Sequence, residues 1–407
     1  MKDILIITNV ELPDAANSRG NNVVVGGWMH QTLNYIKNSI ELYVAACVSE
    51  KYDWIEINSV NYCGFTPEID EIDFERIIES IDPDCIHIWG SEYNHSYYVT
   101  KAARNLSKIE CTVLSIQGLV SVYAEHYYDG LPPELIHRRT LKEFFGRRNI
   151  AQEKKMMELQ GQTEISTFQM LENCIGRTDW DYACAKQMNP QIEYHFCGEI
   201  LRESFYVNRW KYEECDKEVI FFSQAHYPIK GLHIMLRALP IIKEYYPAVV
   251  LRIVGNNPQK KAIFKRSSYE KYICNLIHDN DLSNSIEWLG QLSENEMMLN
   301  YKKANVFVCS SSIENSSNSI GEAMLVGTPI VASDVGGIKS FMEHEKEGML
   351  YHSTAVYMLA DNVIRIFNSR SLAIQLGNNA HERAKKYHCI EDNLQRLIKI
   401  YNKLKCK

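Results

Sequence analysis

The chain has 407 residues, of which 45% are hydrophobic and 23% are charged, close to globular averages of about 45–50% and about 25%. At roughly 150 residues per domain, this length predicts two or three domains. The composition excludes a disordered protein, a collagen and a small disulfide-stapled scaffold. The formal net charge of −7 argues against general nucleic-acid binding, and no stretch approaches the roughly 20 consecutive apolar residues of a membrane-spanning helix.

The opening residues MKDILIITNV form too short an apolar stretch, too soon followed by Glu11 and Asp14, to be a secretory signal. They are predicted to form a first buried strand. Twelve cysteines are scattered from Cys47 to Cys406 with no C-x-x-C pair, which is typical of reduced thiols in core positions and not of disulfides or a zinc site. These features predict a cytosolic protein.

Short apolar, β-branched runs alternate with amphipathic helical stretches along the whole chain. The candidate strands are 4–8, 42–47, 85–89, 112–116, 219–223, 249–254, 286–289, 305–309 and 329–332. The candidate helices fall near 27–37, 69–80, 135–159, 232–245, 294–304, 320–326, 371–386 and 390–407. Pro240 is expected to kink its helix or break the register there. Strands separated by long helices predict βαβ units and largely parallel sheets.

The most polar break along the chain is 208–217, which contains RWKYEECDK. We place the domain boundary there. Residues 1–207 with the terminal helix 390–407 form the first predicted domain, and residues 208–389 form the second. Because open α/β sheets bind ligands at the carboxyl ends of their strands, the ligand site is predicted in a cleft that both sets of strand ends face.

The densest chemical signal is the segment 305–342, in which a predicted strand, a polar loop and a helix follow one another. Asn318 or Ser319 is predicted to cap that helix, with Glu322 in its first turn. In the plainer interpretation Glu322 is only a capping carboxylate. However, a free helix N-terminus binds anions, and a carboxylate such as Glu314 suits hydrogen bonds from sugar hydroxyls. The residues alone leave both interpretations open.

Two loops after strands carry weaker signals. Lys230 follows the strand 219–223 and precedes a helix, where an ammonium can reach a phosphate, although a solvated loop lysine is the plainer interpretation. Gly26 and Gly27, after the first strand, let backbone amides approach a ligand closely. A lone Gly-Gly pair, however, more often marks only a turn.

One segment departs from the acidic balance of the chain. Between His137 and Lys155, seven Lys and Arg stand against two Glu, a local net charge of +5, with Leu141, Phe144 and Phe145 interleaved. A solvated helix whose apolar side chains face the core would explain this pattern. The alternative is a surface that approaches anionic lipids or a lipid-diphosphate-linked acceptor.

Taken together, these motifs resemble the retaining nucleotide-sugar glycosyltransferases of family 4. Glu314 and Glu322 have the spacing of the family's Glu-x7-Glu motif. The signature continues in order with Glu-Ala-Met at 322–324, Gly-Thr-Pro at 327–329, Val-Ala-Ser at 331–333 and Gly-Gly at 336–337. The resemblance covers nearly the whole chain and is strongest over 219–350. It implies the GT-B fold: two Rossmann-like parallel-sheet domains facing a central cleft, with a C-terminal helix that crosses back to the N-terminal domain.

The resemblance also implies roles for the charged residues. Glu314 would lie by the donor sugar as an electrostatic and positioning residue, Glu322 would bind the ribose hydroxyls, and Lys230 would neutralise the diphosphate. The family's mechanism is generally described as attack on the same face from which the diphosphate leaves, with the departing phosphate taking the acceptor proton.

The remaining donor-binding residues are also carried over from the family. The amides around Asn318 and Ser319 would hold the diphosphate, and the glycine loop at Gly26 and Gly27 would face it. The loop that contains Leu292, after the strand 286–289, would seat the nucleotide base.

Two positions depart from the family pattern. Gln224 stands where the family usually has an arginine paired with the lysine, and losing a cation weakens stabilisation of the leaving diphosphate, although Gln224 still donates hydrogen bonds. Gln117 stands near the place of a histidine after the fourth N-terminal strand; an amide can orient a hydroxyl but cannot act as an acid or base. His95 matches a further stretch on the acceptor side, where a structural role is the alternative.

The resemblance predicts a retaining, metal-independent glycosyltransferase that moves a sugar from a nucleoside-diphosphate sugar to a saccharide or lipid-linked acceptor. The product would be a cell-surface polysaccharide or glycolipid. The loops discussed contain no Asp-x-Asp metal motif, and we expect no cofactor and no nucleic-acid partner. The expected location is the cytoplasm, with peripheral contact at the inner face of the membrane through His137–Lys155 left open.

Two alternatives to this function stay open. The first is a GT-B enzyme of another reaction type, such as a sugar-nucleotide epimerase or a phosphorylase, although no lysine suits the pyridoxal phosphate that a phosphorylase needs. The second is a non-catalytic partner subunit that keeps the fold. Gln117 and Gln224 favour that second alternative, whereas Glu314 and Glu322 speak against it.

Overall fold

The computed structural model describes residues 3–21, 27–146, 148–225 and 227–404. The strands are β1 Asp3–Thr8, β2 Glu41–Cys47, β3 Tyr52–Ile57, β4 Val60–Phe65, β5 Cys85–Trp89, β6 Thr112–Ser115, β7 Asn173–Gly176, β8 Glu193–Phe196, β9 Val219–Phe222, β10 Val250–Val254, β11 Ile286–Gly290, β12 Val306–Cys309, β13 Ile330–Ser333 and β14 Met349–Tyr351. The helices are α1 Pro13–Ser18, α2 Gly27–Ile36, α3 Glu71–Ile81, α4 Asn94–Asn105, α5 Val120–Tyr123, α6 Pro133–Ile136, α7 Leu141–Gly146, α8 Ile150–Met170, α9 Asp179–Met188, α10 Glu203–Val207, α11 Leu232–Tyr245, α12 Ser268–Asp279, α13 Glu294–Lys303, α14 Asn318–Val326, α15 Val356–Asn368, α16 Arg370–Tyr387 and α17 Ile390–Lys403.

The chain divides into two compact units. The described residues of Met1–Val122, Glu158–Arg202 and His388–Lys407 form one, called here the N-terminal unit, and those of Tyr123–Met157 and Glu203–Tyr387 form the C-terminal unit. The sequence placed the domain boundary after residue 207, whereas this division follows Arg202. It also assigns 123–157 to the C-terminal unit, although that segment lies between strands of the N-terminal sheet in the sequence.

Within the described part of the N-terminal unit, eight strands form one sheet in the order β3-β4-β2-β1-β5-β6-β7-β8. Neighbouring strands are parallel except in the β3–β4 pair. The side chains of β1 alternate between two apolar clusters, since Ile4 and Ile6 belong to one and Leu5 and Ile7 to the other. Because both faces of a central parallel strand are buried, β1 is a continuous apolar run in the sequence.

The terminal helix α17 completes the core of the N-terminal unit. Leu397, Ile400 and Tyr401 belong to the same apolar cluster as Ile4 and Ile6. The Tyr401 hydroxyl also lies 2.7 Å from Nδ1 of His87 on β5. The predicted return of the C-terminal helix to the N-terminal unit is therefore confirmed.

Within the described part of the C-terminal unit, six strands form a parallel sheet in the order β11-β10-β9-β12-β13-β14. The two central strands, β9 and β12, are fully buried. The predicted parallel α/β architecture is thus present in both units. The chain leaves β9 toward β10 and β11, and then returns to place β12 on the other side of β9.

The predicted single helix over 135–159 is wrong. The segment forms α6, α7 and the start of α8. Thr140 and Asn149 break it, because each begins a new helix through a reciprocal bond: Thr140 with Glu143, and Asn149 with Gln152. Helix α11, where a kink or a register break was expected at Pro240, continues as one helix from Leu232 to Tyr245.

The sequence reasoning also missed several elements, among them β3, β4, β7, β8 and the helices α4, α9, α12 and α15. Strands β7 and β8 have only four residues each, too few for a clear alternating pattern. Among the described cysteines, ten carry free thiols, but Cys111 is disulfide-bonded, so the expectation of reduced thiols is wrong at that position. No helix in the described ranges is long and apolar enough to cross a bilayer.

Candidate functional site

A cluster of polar side chains lies where β9 and β12 end. These two strands are neighbours, but their connections leave the sheet in opposite directions, and a crevice at such a point is the usual ligand site of a parallel sheet. A small pocket there is lined by the strand ends Phe222 and Cys309 and by loop residues that include Gln224, Lys230, Ser311 and Glu314. Four of the predicted site residues therefore line one pocket: Gln224, Lys230, Glu314 and Ser319.

Lys230 and Glu314 form a buried ion pair in this pocket. The Lys230 Nζ atom lies 2.7 Å from Oε1 of Glu314, and the two side chains are 15% and 8% exposed. Burial is the largest single influence and by itself lowers the pKa of Lys230. The charge of Glu314, its hydrogen bond and the nearby Tyr227 and Tyr123 together outweigh burial, so that the pKa is raised above its ordinary value. Lys230 is therefore a permanent cation, held at the carboxyl ends of the strands.

Close contacts between the two loops bring these charges together. Lys230 ends a 3-10 turn at Pro228–Lys230, and Gly231 follows with a φ of 70°. A Cβ atom on Gly231 would lie 1.8 Å from the carbonyl oxygen of Ser310, and the Ser310 hydroxyl donates to the Gly231 carbonyl at 2.8 Å. Only glycine fits this approach. The Ser311 hydroxyl then donates to Oε1 of Glu314 at 2.7 Å, which fixes the carboxylate.

The Gly-Gly motif at 336–337 supports the backbone of Glu314. The amide of Gly337 donates to the Glu314 carbonyl at 3.0 Å. Gly336 has a φ of 52°, and a Cβ atom there would lie 2.0 Å from the same carbonyl oxygen. The two glycines have no side-chain functional group, and their role in the motif is to let their backbone lie close to the backbone of Glu314.

The helix that follows Glu314 has an open N-terminus. The expectation that Asn318 or Ser319 caps α14 is wrong, because both lie in its first turn and the N-cap is Ser317, whose side chain makes no capping hydrogen bond. By contrast, α12 and α13 begin with complete serine capping boxes. Ser317 and Ser319 line the pocket, and Oδ1 of Asn318 is buried with no hydrogen-bond partner among the described residues. Uncapped first-turn amides are suited to an anion.

Two predicted donor-binding residues lie elsewhere in the C-terminal unit. Glu322 is buried inside α14 and its Oε2 accepts a hydrogen bond from the Tyr301 hydroxyl at 3.3 Å. Leu292 is half-buried in the loop between β11 and α13. Within the described chain, neither lines the pocket that contains Lys230 and Glu314.

The predicted residues of the N-terminal unit are described separately. Gly26 lies outside the described residues. Gly27 begins α2, and a Cβ atom there would lie 2.9 Å from Cδ of Arg202. Gln117 follows β6, and its Nε2 lies 3.8 Å from Sδ of Met29. The Arg177 guanidinium donates to the backbone carbonyl of Gln117 at 3.4 Å, which holds this loop at the end of the strand.

His95 is a buried, neutral ring on α4. It stacks on Tyr93 with ring centroids 5.2 Å apart, and burial lowers its pKa to about 4. Its Nε2 is buried with no hydrogen-bond partner in the described part of the chain. This packing favours the structural role that the sequence left open for His95.

No sequence motif indicated a role for Tyr123, which contacts the loop that contains Glu314. Its hydroxyl accepts a hydrogen bond from the amide of Asn315 at 3.0 Å, across 192 residues of sequence. Burial and the charge of Glu314 raise its pKa, so it is a neutral phenol. The Ser312 hydroxyl similarly donates to the carbonyl of His126 at 3.2 Å. No local pattern could reveal these contacts, because they depend on the segment 123–157 packing in the C-terminal unit.

Among the described residues, no group of three or more His, Cys, Asp or Glu side chains is arranged to hold a metal ion. Lys230 lines the pocket, and the amides at the start of α14 lie beside it as further positive groups. Together they form an anion site with a carboxylate, Glu314, fixed beside it.

Residues 204–383 match the model of the family described as Glycosyl transferases group 1. Over this part of its length the chain is similar to the group 1 glycosyl transferases. The match contains the whole candidate site, from Gln224 to the glycines at 336–337. The resemblance recognised from the sequence is confirmed there.

Curated relatives match about half of the chain or less. The D-inositol 3-phosphate glycosyltransferase of Corynebacterium urealyticum is 24% identical over 188 residues, which are 46% of this chain and 43% of the relative. The GDP-mannose-dependent alpha-(1-6)-phosphatidylinositol monomannoside mannosyltransferase of Mycobacterium tuberculosis is 25% identical over 162 residues, 38% of this chain and 40% of the relative. The matched stretch thus spans less than half the length of these relatives.

Solved structures match nearly the whole chain. Sucrose-phosphate synthase from Thermosynechococcus elongatus superposes with a TM-score of 0.68 at 16% identity and covers 99% of both chains. Anabaena Alr3699/HepE in complex with UDP-glucose gives a TM-score of 0.69 at 15% identity, covering 99% of this chain and 100% of that one. At these identities the likeness shows the fold alone. The GT-B fold predicted from the sequence is thereby confirmed.

Proposed function

We propose that the protein is a retaining glycosyltransferase that moves a sugar from a nucleoside-diphosphate sugar to a saccharide or lipid-linked saccharide acceptor. The observation that carries the proposal is the Lys230–Glu314 pair at the open N-terminus of α14. A cation and free amides suit a diphosphate, and a buried carboxylate suits a sugar that develops positive charge beside it. The cell-surface polysaccharide or glycolipid assigned as the product is part of the same proposal.

The chemistry follows from where charge develops. When the bond from C1 of the sugar to the diphosphate breaks, negative charge grows on the phosphate and positive charge on the sugar. Lys230 and the amides of α14 stabilise the first, and Glu314 stabilises the second. The acceptor hydroxyl attacks the face that the phosphate leaves, and the departing phosphate takes its proton, so that the product retains the configuration at C1.

Glu322, Leu292 and Gln224 complete the proposed donor site. Glu322 binds the ribose hydroxyls, Leu292 contacts the base, and Gln224 donates a hydrogen bond to the diphosphate in place of a second cation. Gly26 and Gly27 face the donor phosphates, and Gln117 orients the acceptor. Since Lys230 and the helix terminus supply the positive charge, we propose that turnover needs no metal, and EDTA should leave its rate unchanged.

The test is a donor screen. The purified protein is incubated with each common UDP-, GDP-, ADP- and TDP-sugar, while thermal stability and release of free nucleoside diphosphate are followed. A donor at about a hundred times its dissociation constant adds roughly 2.7 kcal/mol of stability. One donor should stabilise the protein and be slowly hydrolysed, and Glu314→Ala should abolish the hydrolysis.

Glu244→Ala is the matched control, because Glu244 is an exposed glutamate at the end of α11. It should hydrolyse the donor at the wild-type rate. If no donor stabilises the protein or is hydrolysed, the chain is the non-catalytic partner subunit. If the donor is isomerised or hydrolysed rapidly without any acceptor, the protein is an epimerase and the proposal fails.

A further inference from the structure

Five large apolar side chains project into solvent from two neighbouring parts of the C-terminal unit. Leu141, Phe144 and Phe145 lie on α7, and Ile263 and Phe264 lie on the 3-10 turn Ile263–Lys265. Their exposed fractions range from 59% for Phe264 to 80% for Phe145. Helix α7 packs against this turn. A contiguous exposed apolar surface on a folded protein usually marks an interaction site.

A single carboxylate joins these two parts. Glu143 on α7 is buried, and its Oε2 accepts a hydrogen bond from the amide of Thr140 at 2.8 Å. Its Oε1 accepts bonds from the amide and the hydroxyl of Ser268, both at 2.7 Å. Ser268 begins α12, just after the 3-10 turn. Because Glu143 is held inward, its neighbours Phe144 and Phe145 are presented outward.

Cations are frequent in both chain segments that carry the exposed apolar side chains. The segment 258–266 has four Lys and Arg and no acidic residue, and it adds to the +5 of the segment 137–155. The two glutamates of the latter segment are engaged, since Glu143 is buried and Glu153 accepts a hydrogen bond from the Tyr127 hydroxyl at 2.7 Å. The surface therefore has an apolar centre and lies on two chain segments rich in basic residues, which are called here the basic surround, in a chain with a net charge of −7. Lys142 and Lys261 in this surround pair with Glu270.

We propose that α7 and the turn Ile263–Lys265 form one surface that docks on an anionic lipid bilayer. In this docking surface the five apolar side chains enter the interface and the surrounding lysines and arginines contact the headgroups, as in other peripheral proteins. The inference rests on the proposed function in one respect: docking would bring the enzyme to a lipid-linked acceptor. It extends the contact expected at His137–Lys155 by a second segment, and the binding itself does not depend on catalysis.

The charges favour a bilayer over other occupants. A two-fold dimer would place the same patch against itself and would oppose the two basic surrounds. Nucleic acid is bound through its phosphates and by stacking of bases on aromatic rings, whereas an apolar centre that combines aliphatic side chains with phenylalanines is typical of lipid interfaces. An anionic bilayer satisfies both the apolar centre and the basic surround.

The test is co-sedimentation of the full chain with phosphatidylcholine vesicles that contain either no phosphatidylglycerol or about one third of it. The wild type should bind the anionic vesicles and not the neutral ones, and binding should weaken as salt increases. Phe144→Ser with Phe145→Ser, and Ile263→Ser with Phe264→Ser, should each lower the bound fraction about tenfold, since each pair removes two inserted side chains. Lys260→Glu with Lys265→Glu should also release the protein.

Matched controls come from the same unit. Tyr245→Ser with Tyr357→Ser removes two exposed aromatic rings, and Lys385→Glu with Lys386→Glu makes the same change of charge on exposed lysines of α16. Both controls should bind vesicles as the wild type does. Thermal unfolding of every variant in the absence of lipid shows whether it is folded.

The results separate this inference from the proposed function. Docking is refuted if the wild type ignores anionic vesicles, if neutral vesicles bind it equally, or if the controls lose binding as much as the surface variants. It is also refuted if the surface variants instead dissociate a dimer that the wild type forms without lipid. If the protein binds anionic vesicles but no donor, the docking proposal stands and the proposed transferase function is refuted. If it hydrolyses a donor but does not bind vesicles, the transferase function stands and the docking proposal is refuted.

Discussion

Each sheet has a pair of buried ionisable groups at the ends of its strands, an opposite-charge pair in one unit and a like-charge pair in the other. In the C-terminal unit, Lys230 and Glu314 meet as opposite charges at the ends of β9 and β12. In the N-terminal unit, the loops after β5 and β6 bring together two carboxyl groups, Glu92 and Glu164. Burial and then the charge of Glu164 raise the pKa of Glu92 to about 7, and burial raises the pKa of Glu164.

Each carboxyl group of the N-terminal pair is hydrogen-bonded to the loops it joins. Glu92 accepts from the amide of Gly118 at 2.9 Å. Glu164 accepts from the hydroxyls of Ser91 and Ser121 at 2.5 Å and 2.6 Å. The two units share a fold pattern but not its electrostatics. One strand edge holds fixed charges suited to a leaving diphosphate, and the other holds a carboxyl group that exchanges a proton near neutral pH.

The largest effect is expected from breaking the opposite-charge pair. Lys230→Met leaves Glu314 buried without its cation, which should cost about 3–5 kcal/mol of unfolding free energy and lower donor turnover by about 100-fold or more. Urea unfolding and nucleoside-diphosphate release measure the two effects. Lys243→Met, at a half-exposed lysine of α11, should change neither by much.

A double variant separates stability from chemistry at the same pair. Lys230→Met with Glu314→Gln removes both charges and should recover most of the lost stability, because no unpaired charge remains buried. Turnover should stay absent. Recovery of turnover in the double variant would show that the pair is only structural.

An intermediate effect is expected at the glycine that supports Glu314. Gly336→Ala adds a Cβ atom 2.0 Å from the Glu314 carbonyl oxygen at a φ of 52°, so it should cost about 2–3 kcal/mol and displace Glu314, with a matching loss of turnover. Gly20→Ala has a φ of 78° but open space around it. It should therefore show only backbone strain, about 1 kcal/mol, and equal losses in the two variants would contradict the close approach.

The smallest effect is expected at the like-charge pair. Glu92 has a pKa of about 7 in the folded chain against an ordinary 4.5, so between these values the folded chain keeps a proton that the unfolded chain releases. Glu92 therefore makes stability fall as the pH rises from about 4.5 to about 7. Glu92→Gln should remove this slope and be more stable than the wild type above pH 7, measured by urea unfolding across the pH range. If Glu92→Gln keeps the wild-type slope, or if the exposed-site control Glu244→Gln also removes it, Glu92 is not the titrating group.

The motif around Glu314 shows how much of the site the sequence could predict. Glu314, Lys230 and the glycines at 336–337 each follow a strand of the same parallel sheet, and strand ends of one sheet converge. The sequence therefore predicted that these residues lie close together, although it did not predict the direct contact between Lys230 and Glu314. The helix cap was predicted one or two residues too late, at Asn318 or Ser319 and not at Ser317, since all three are acceptable capping residues.

The sequence alone determined the alternation of strands and helices, the parallel sheets and the residues of the donor motif, because periodicity and turn residues act over a few neighbouring positions. Only the tertiary structure placed the segment 123–157 in the C-terminal unit. It also paired Tyr123 with Asn315, Glu143 with Ser268 and Glu92 with Glu164. These pairs are tens to hundreds of residues apart, and nothing in the local sequence of either partner specifies the other. The first two pairs form because folding buries polar groups that must then find a hydrogen-bond partner within reach. Glu92 and Glu164 instead come together because each is hydrogen-bonded to the loops after β5 and β6.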